Sequence, residues 1–246
     1  MKDEKVILIT GGGTGIGRET ALRFAREGVH AAINYSRSVT EAEQTREDVE
    51  SLGARGFCVK ANVANDREVR DMVDAVIQEF GRIDILVNSA GTTDFVRHAD
   101  LEGLKDEFWD RAFNVNVKGL FHSCRAVAGE LRKRKGCIIN ITSLGGMTGL
   151  GSSIAYAASK AAAISVTRSL ARVMAPEVRV NSLAPGIVLT RWVDGHQDHI
   201  DRGGGIPLER HATPQDVAET AWGVWANCPF ITGQNIVIDG GRFIGV

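Results

Sequence analysis

Tyr156 and Lys160 stand four residues apart in the run Tyr156-Ala157-Ala158-Ser159-Lys160. The surrounding pattern is helical, so both side chains are expected to project from one face. A free tyrosine, with a pKa of about 10, holds its proton too tightly to be a good base near neutrality. A neighbouring ammonium stabilises the phenolate and lowers that value, which makes the pair a candidate acid/base. YxxxK by itself arises often by chance, and its weight comes from context. Ser143 supplies some of it. It closes the run Asn140-Ile141-Thr142-Ser143 at the end of a buried apolar stretch, and ligands of open α/β sheets sit at strand C-termini.

A second constellation lies near the N-terminus, where Thr10-Gly11-Gly12-Gly13-Thr14-Gly15-Ile16-Gly17 follows Val6–Ile9 directly and precedes an amphipathic stretch. Glycines let the backbone turn sharply and approach a pyrophosphate, and a helix N-terminus adds free N–H donors and partial positive charge. The placement between strand and helix points to nucleotide binding. After the next apolar run comes Asn34-Tyr35-Ser36-Arg37. An acidic residue there would favour NAD; instead the Ser36 hydroxyl and Arg37 are suited to a ribose 2′-phosphate, which favours NADP(H) while leaving NAD(H) open.

Elements must hold these groups in place. Short apolar runs alternate with amphipathic stretches along the whole chain, as in a doubly wound parallel sheet with helices on both faces. Strands are expected at Val6–Ile9, Ala31–Tyr35, Gly56–Ala61, Ile83–Val87, Ile138–Ile141, Val178–Leu183 and Ile236–Ile238. The clearest helix carries Val69, Met72, Val73, Val76, Ile77 and Phe80 at helical spacing and is closed by Gly81. A long helix ending near Arg134 should turn Val117, Leu120, Phe121, Cys124, Val127, Ala128 and Leu131 inward. Another, Ile154 to Met174, is rich in alanine, and Thr213 with Pro214 begins the last. With neither repeat nor linker, residues 1–246 are expected to form one Rossmann-like domain. Residues 186–213 are polar and rich in Gly, Asp and His, and read as a substrate lid.

From these residues onward the chain resembles the short-chain dehydrogenase/reductase family. The glycine run fits TGxxxGxG, and Ser143, Tyr156 and Lys160 stand at the family's separations. Asn116, in Asn114-Val115-Asn116-Val117, matches its helix asparagine. The resemblance runs nearly end to end and implies hydride transfer between a nicotinamide and a carbonyl or secondary alcohol. It implies Tyr156 as proton donor, Ser143 as partner of the same oxygen, Lys160 as modifier of the phenol and holder of the ribose, and Asn116 as anchor of a relay water. For the cofactor it adds Gly11, Thr14, Gly15, Ile16 and Gly17 at the pyrophosphate, Asn62 and Val63 at the adenine, and Asn88, Ala90 and Gly91 beyond the fourth strand. Pro185, Gly186 and Thr190, in PGxxxT, belong to the carboxamide. Tyr35 stands where NAD-type members carry Asp, whereas Thr14 stands where many NADP-dependent members carry a basic residue. The pattern looks most like the 3-oxoacyl-[acyl-carrier-protein] reductases, with alcohol, sugar or steroid dehydrogenases, or a non-catalytic dinucleotide-binding regulator, as alternatives. The family also implies a homotetramer, paired through its two long helices.

Composition narrows the remaining classes. A formal net charge of -1 offers no long-range field for nucleic acid, and Arg132-Lys133-Arg134-Lys135 falls where cations offset a helix dipole. The four cysteines, Cys58, Cys124, Cys137 and Cys228, form no CxxC pair and read as small buried thiols. The first apolar run is too short for a signal peptide, and no stretch could cross a bilayer, so a cytoplasmic protein is expected. His196 and His199, near Asp194, Asp198 and Asp201, read as loop charge rather than a metal site. Trp192, just past Thr190, is a candidate for substrate contact.

Overall fold

The apolar runs become strands, the central ones buried on both faces, as a sheet covered by helices on both sides requires. In the computed structural model, which describes residues 4–197, 200 and 205–245, the strands are β1 (Val6–Thr10), β2 (His30–Tyr35), β3 (Gly56–Lys60), β4 (Ile85–Asn88), β5 (Cys137–Ile141), β6 (Arg179–Pro185) and β7 (Asn235–Ile238). They pair in the order β3-β2-β1-β4-β5-β6-β7, all parallel. The order reverses beside β1, which opens a crevice at the carboxyl ends of β1 and β4.

Alternation along the strands divides the core in two. Val6 and Leu8 of β1 join Leu86, Ile138 and Val180 on one face, under α3 (Asp66–Phe80), α5 (Leu120–Arg134) and α7 (Ile154–Met174). Ile7 and Ile9 join Ile33, Ile85, Val87 and Ile139 on the other, under α1 (Gly15–Ala25), α2 (Val39–Ser51) and α8 (Pro214–Ala226).

Local chemistry sets the helix ends. At the start of α3 the Asn65 side chain accepts from the amides of Arg67 (3.0 Å) and Glu68 (3.4 Å), and Gly81 closes the helix in the left-handed region at φ +74°. Thr213 and Asp216 form a reciprocal capping box at α8, with Pro214 in its first turn.

The long helix differs from expectation. α4 (Asp106–Phe113) runs into a π turn over Asn114–Gly119 before α5 begins. The inward face of α5 is Leu120, Ser123, Cys124, Val127 and Leu131, while Phe121, expected inside, is 40% exposed with the Arg125 guanidinium over its ring. β4 also starts two residues later than expected, and β6 runs on to Pro185.

Candidate active site

The β1–α1 turn is a close-packed cradle. Gly11 sits at φ +65°, and a Cβ there would lie 3.0 Å from the Ala90 Cα. A Cβ on Gly17 would run into the Gly11 carbonyl oxygen, so the turn folds directly onto its helix only without side chains at these two positions. No acidic residue occupies the first turn of α1, and Thr14 at its N-cap makes no side-chain cap. The helix therefore keeps its donors for an anion. Sequence reasoning missed Asn34, whose buried amide donates to the carbonyls of Val59 (3.3 Å) and Ala61 (3.1 Å) and accepts from the Gly11 amide (3.3 Å). It ties the cradle to β2 and β3.

The cradle opens into a cleft of about 1440 Å³ along the carboxyl ends of the strands, larger than the roughly 300–1,000 Å³ that holds a drug-sized ligand. Its walls and the glycine cradle fit an extended dinucleotide. Gly11, Thr14, Gly15 and Ile16 line its floor; Ser36, Arg37, Asn62 and Val63 line one end; Ala90, Gly91, Pro185, Gly186 and Thr190 line the middle; Ser143, Tyr156 and Lys160 line the other end.

Three expected residues do not line it. Gly17 lies beneath the turn. Asn88 is buried in the sheet, donating to Asn140 Oδ1 (2.9 Å) and Cys124 Sγ (3.2 Å), which ties β4 to its neighbours. Asn116, in the π turn, bridges segments: Oδ1 accepts from the Thr92 amide (2.9 Å), and Nδ2 donates to the Thr92 carbonyl (3.0 Å) and to Ser159 Oγ (2.9 Å).

At the acid/base end, the Ser153 hydroxyl caps α7 by accepting from the Tyr156 amide at 3.2 Å, placing Tyr156 in the first turn. Ser143 and Tyr156 line the cleft together, and the Ser143 side chain acts on the Tyr156 phenol. One turn on, Lys160 Nζ lies 5.7 Å from the centre of the Tyr156 ring and donates to the Ile141 carbonyl at 2.9 Å. Gly91 completes the convergence, since a Cβ there would sit 3.5 Å from Asn116 Oδ1, 3.6 Å from the Trp192 ring and 3.7 Å from Lys160 Nζ.

Electrostatics here run against the expectation drawn from spacing alone. Burial raises the Tyr156 phenol above its ordinary value, and the Ser143 side chain offsets only part of this. Burial also lowers Lys160 to about 8. Desolvation penalises both charged forms, so the lysine's pull on the phenol is superimposed on a pocket that favours neutrality.

Of the segment expected to be a lid, residues 186–188 and 190–193 line the cleft. Val188 bridges Ala212 at the base of that segment. Thr190 caps a short 3-10 turn, Arg191–Val193, and lies over Gly15. Trp192 is 6.0 Å from the Tyr156 ring, and His196 stacks on Phe95 at 3.6 Å. Sequence reasoning missed Phe95, His98 and Arg191, which line the cleft; Phe95 and Arg191 find partners distant in sequence. Among the described residues no three His, Cys, Asp or Glu side chains are grouped for a metal; Asp198, His199 and Asp201 lie outside them. Burial raises the thiols of Cys58 and Cys124 to about 12 and Cys137 to about 11, and all four cysteines are unbridged.

Residues 11–242 match the family model described as enoyl-(acyl carrier protein) reductase. The 3-oxoacyl-[acyl-carrier-protein] reductase FabG of Staphylococcus aureus is 37% identical over 99% of this chain and 100% of its own. A crystal structure assigned to the short-chain dehydrogenases/reductases, from Burkholderia xenovorans, superposes with a TM-score of 0.92 at 38% identity, covering 100% of both chains. ElxO with NADP bound gives 0.86 at 29% identity over 98% of this chain and 99% of its own. The 3-ketoacyl-(acyl-carrier-protein) reductase of Brucella melitensis complexed with NADH gives 0.87 at 31% over 97% and 98%. Together with the parallel sheet and the dinucleotide-sized cleft, these matches identify the chain as a member of the short-chain dehydrogenase/reductase family and an NAD(P)-dependent oxidoreductase.

Proposed function

We propose that the chain reduces the 3-oxo group of an acyl chain borne on acyl carrier protein, using NADPH, with Tyr156 as the general acid. The observation that carries this reading is the convergence of Ser143, Tyr156 and Lys160 at one end of a cleft whose floor is a glycine cradle. When bound, the nicotinamide supplies the hydride. Ser143 donates a hydrogen bond to the substrate carbonyl oxygen, an oxyanion-type contact. Tyr156 holds its proton at Oη and delivers it to that oxygen as the alcohol forms. The resulting phenolate is stabilised by the Lys160 ammonium and regains its proton through it. Lys160 also holds the nicotinamide ribose. Because the Asn116 amide is engaged by Thr92 and Ser159, we assign the relay water to the backbone of its π turn. A phenol that burial keeps protonated suits the reductive direction.

In this reading the chain is one domain with 186–213 as its substrate lid, works as a homotetramer, and is cytoplasmic. Among the described residues no helix is long and apolar enough to cross a membrane. The test is a panel of 3-oxoacyl thioesters, simple ketones, sugars and steroids, offered with NADPH or NADH and followed at the nicotinamide absorbance band. Fastest oxidation of NADPH with 3-oxoacyl thioesters supports the assignment. Preference for a sugar or steroid alcohol would replace it with another dehydrogenase activity, and cofactor binding without turnover on any substrate would indicate a regulator.

A further inference from the structure

The lid turn carries an arginine that reaches to the far end of the cleft. Arg191 donates from Nη2 to Ser38 Oγ at 2.8 Å and pairs through Nη1 with Glu41 Oε1 at 2.7 Å. Ser38 directly follows Ser36 and Arg37, and all four of Ser36, Arg37, Ser38 and Arg191 line the same cleft. Ser38 is also the N-cap of α2, and its hydroxyl, instead of capping the helix, accepts from Arg191. Glu41 stands in the first turn of that helix.

We propose that Arg191 is a cofactor-specificity residue, a second guanidinium that joins Arg37 in receiving the ribose 2′-phosphate. This rests on NADPH being the cofactor, as proposed for the reaction. The Arg191–Glu41 pair is about half exposed on both sides (54% and 45%), and exposed pairs of this kind are held weakly. A phosphate is a stronger and bidentate acceptor for a guanidinium than such a carboxylate. Arg191 has a second effect on the same choice. Glu41 beside the subsite repels a 2′-phosphate, and the arginine neutralises it. NADH, with hydroxyls in place of the phosphate, leaves the Arg191–Glu41 pair intact and gains nothing from it.

The test is equilibrium titration of the purified protein with NADPH and with NADH, read by nicotinamide fluorescence, which needs no substrate. Arg191→Ala is expected to weaken NADPH binding about ten-fold, the scale of one exposed charge-assisted contact, with NADH binding unchanged. Glu41→Gln is expected to tighten NADPH selectively, and added to Arg191→Ala it recovers part of the loss. Equal weakening of both cofactors by Arg191→Ala, or no change in their ratio, overturns the assignment while leaving the NADPH reading in place. A wild-type protein that binds both cofactors equally overturns the two together.

Discussion

Lys160 is held against its own solvation. Only 6% of it is exposed, and burial brings its pKa from 10.5 to about 8. Below pH 8 the folded protein keeps a buried ammonium charged at a cost, whereas the unfolded chain solvates it freely. Between about pH 8 and 10 the folded state has released a proton that the unfolded state still holds, so stability rises with pH, by at most about 1.4 kcal/mol per unit. Above pH 10 the raised phenol of Tyr156 acts oppositely, since the folded state then retains the extra proton. Lys160→Met is expected to flatten the rise between pH 8 and 10 in chemical denaturation while abolishing turnover. An unchanged slope would show that the lysine is not desolvated as described. The spacing of Tyr156 and Lys160 was legible in the sequence, and so was Ser143 at a strand end. The balance between burial and ion pairing was not, because desolvation is set by neighbours such as Gly91 and Trp192 that arrive from distant segments.

At the scale of elements, hydrophobic period and end signals carried most of the information. Asn65 and Gly81 mark α3, and Thr213 with Asp216 marks α8, because a cap is a local interaction written in adjacent residues. The π turn at Asn114–Gly119 has no residue type that announces it; Phe121, beyond it, flanks the buried stripe of Leu120, Cys124, Val127 and Leu131, and its apolar character alone placed it inside. The Arg191 link to Ser38 and Glu41 spans about 150 positions and cannot be read from local pattern. Gly17 joins sequence and structure most directly, since any Cβ there meets the Gly11 carbonyl. Gly17→Ala is therefore expected to destabilise the protein by about 1–3 kcal/mol, as overpacked positions do, and to weaken both NADPH and NADH by opening the cradle. Thermal melts and cofactor titrations check this together; an alanine variant with wild-type melting and binding would mean that the turn relaxes without cost.

For the molecule as a whole, alternating strands and helices allowed the doubly wound sheet and its seven strands to be anticipated, with boundaries moved by a residue or two. What one chain leaves uncovered bears on assembly. Phe121 on α5 is 40% exposed and Val173 on α7 is 66% exposed, on the two long helices that the proposed homotetramer pairs. Light scattering is expected to give four times the 26.5 kDa chain mass, and Val173→Glu to lower it, since a charge desolvated in an apolar contact is costly; a monomeric wild type would contradict the assembly. The proposed chemistry depends on one proton. The most direct test is the rate of NADPH oxidation by Tyr156→Phe with a 3-oxoacyl thioester at saturating cofactor. Loss of about 10²–10⁴-fold in kcat, the usual contribution of a positioned general acid, is the expected result, and turnover within a few-fold of wild type would contradict the account.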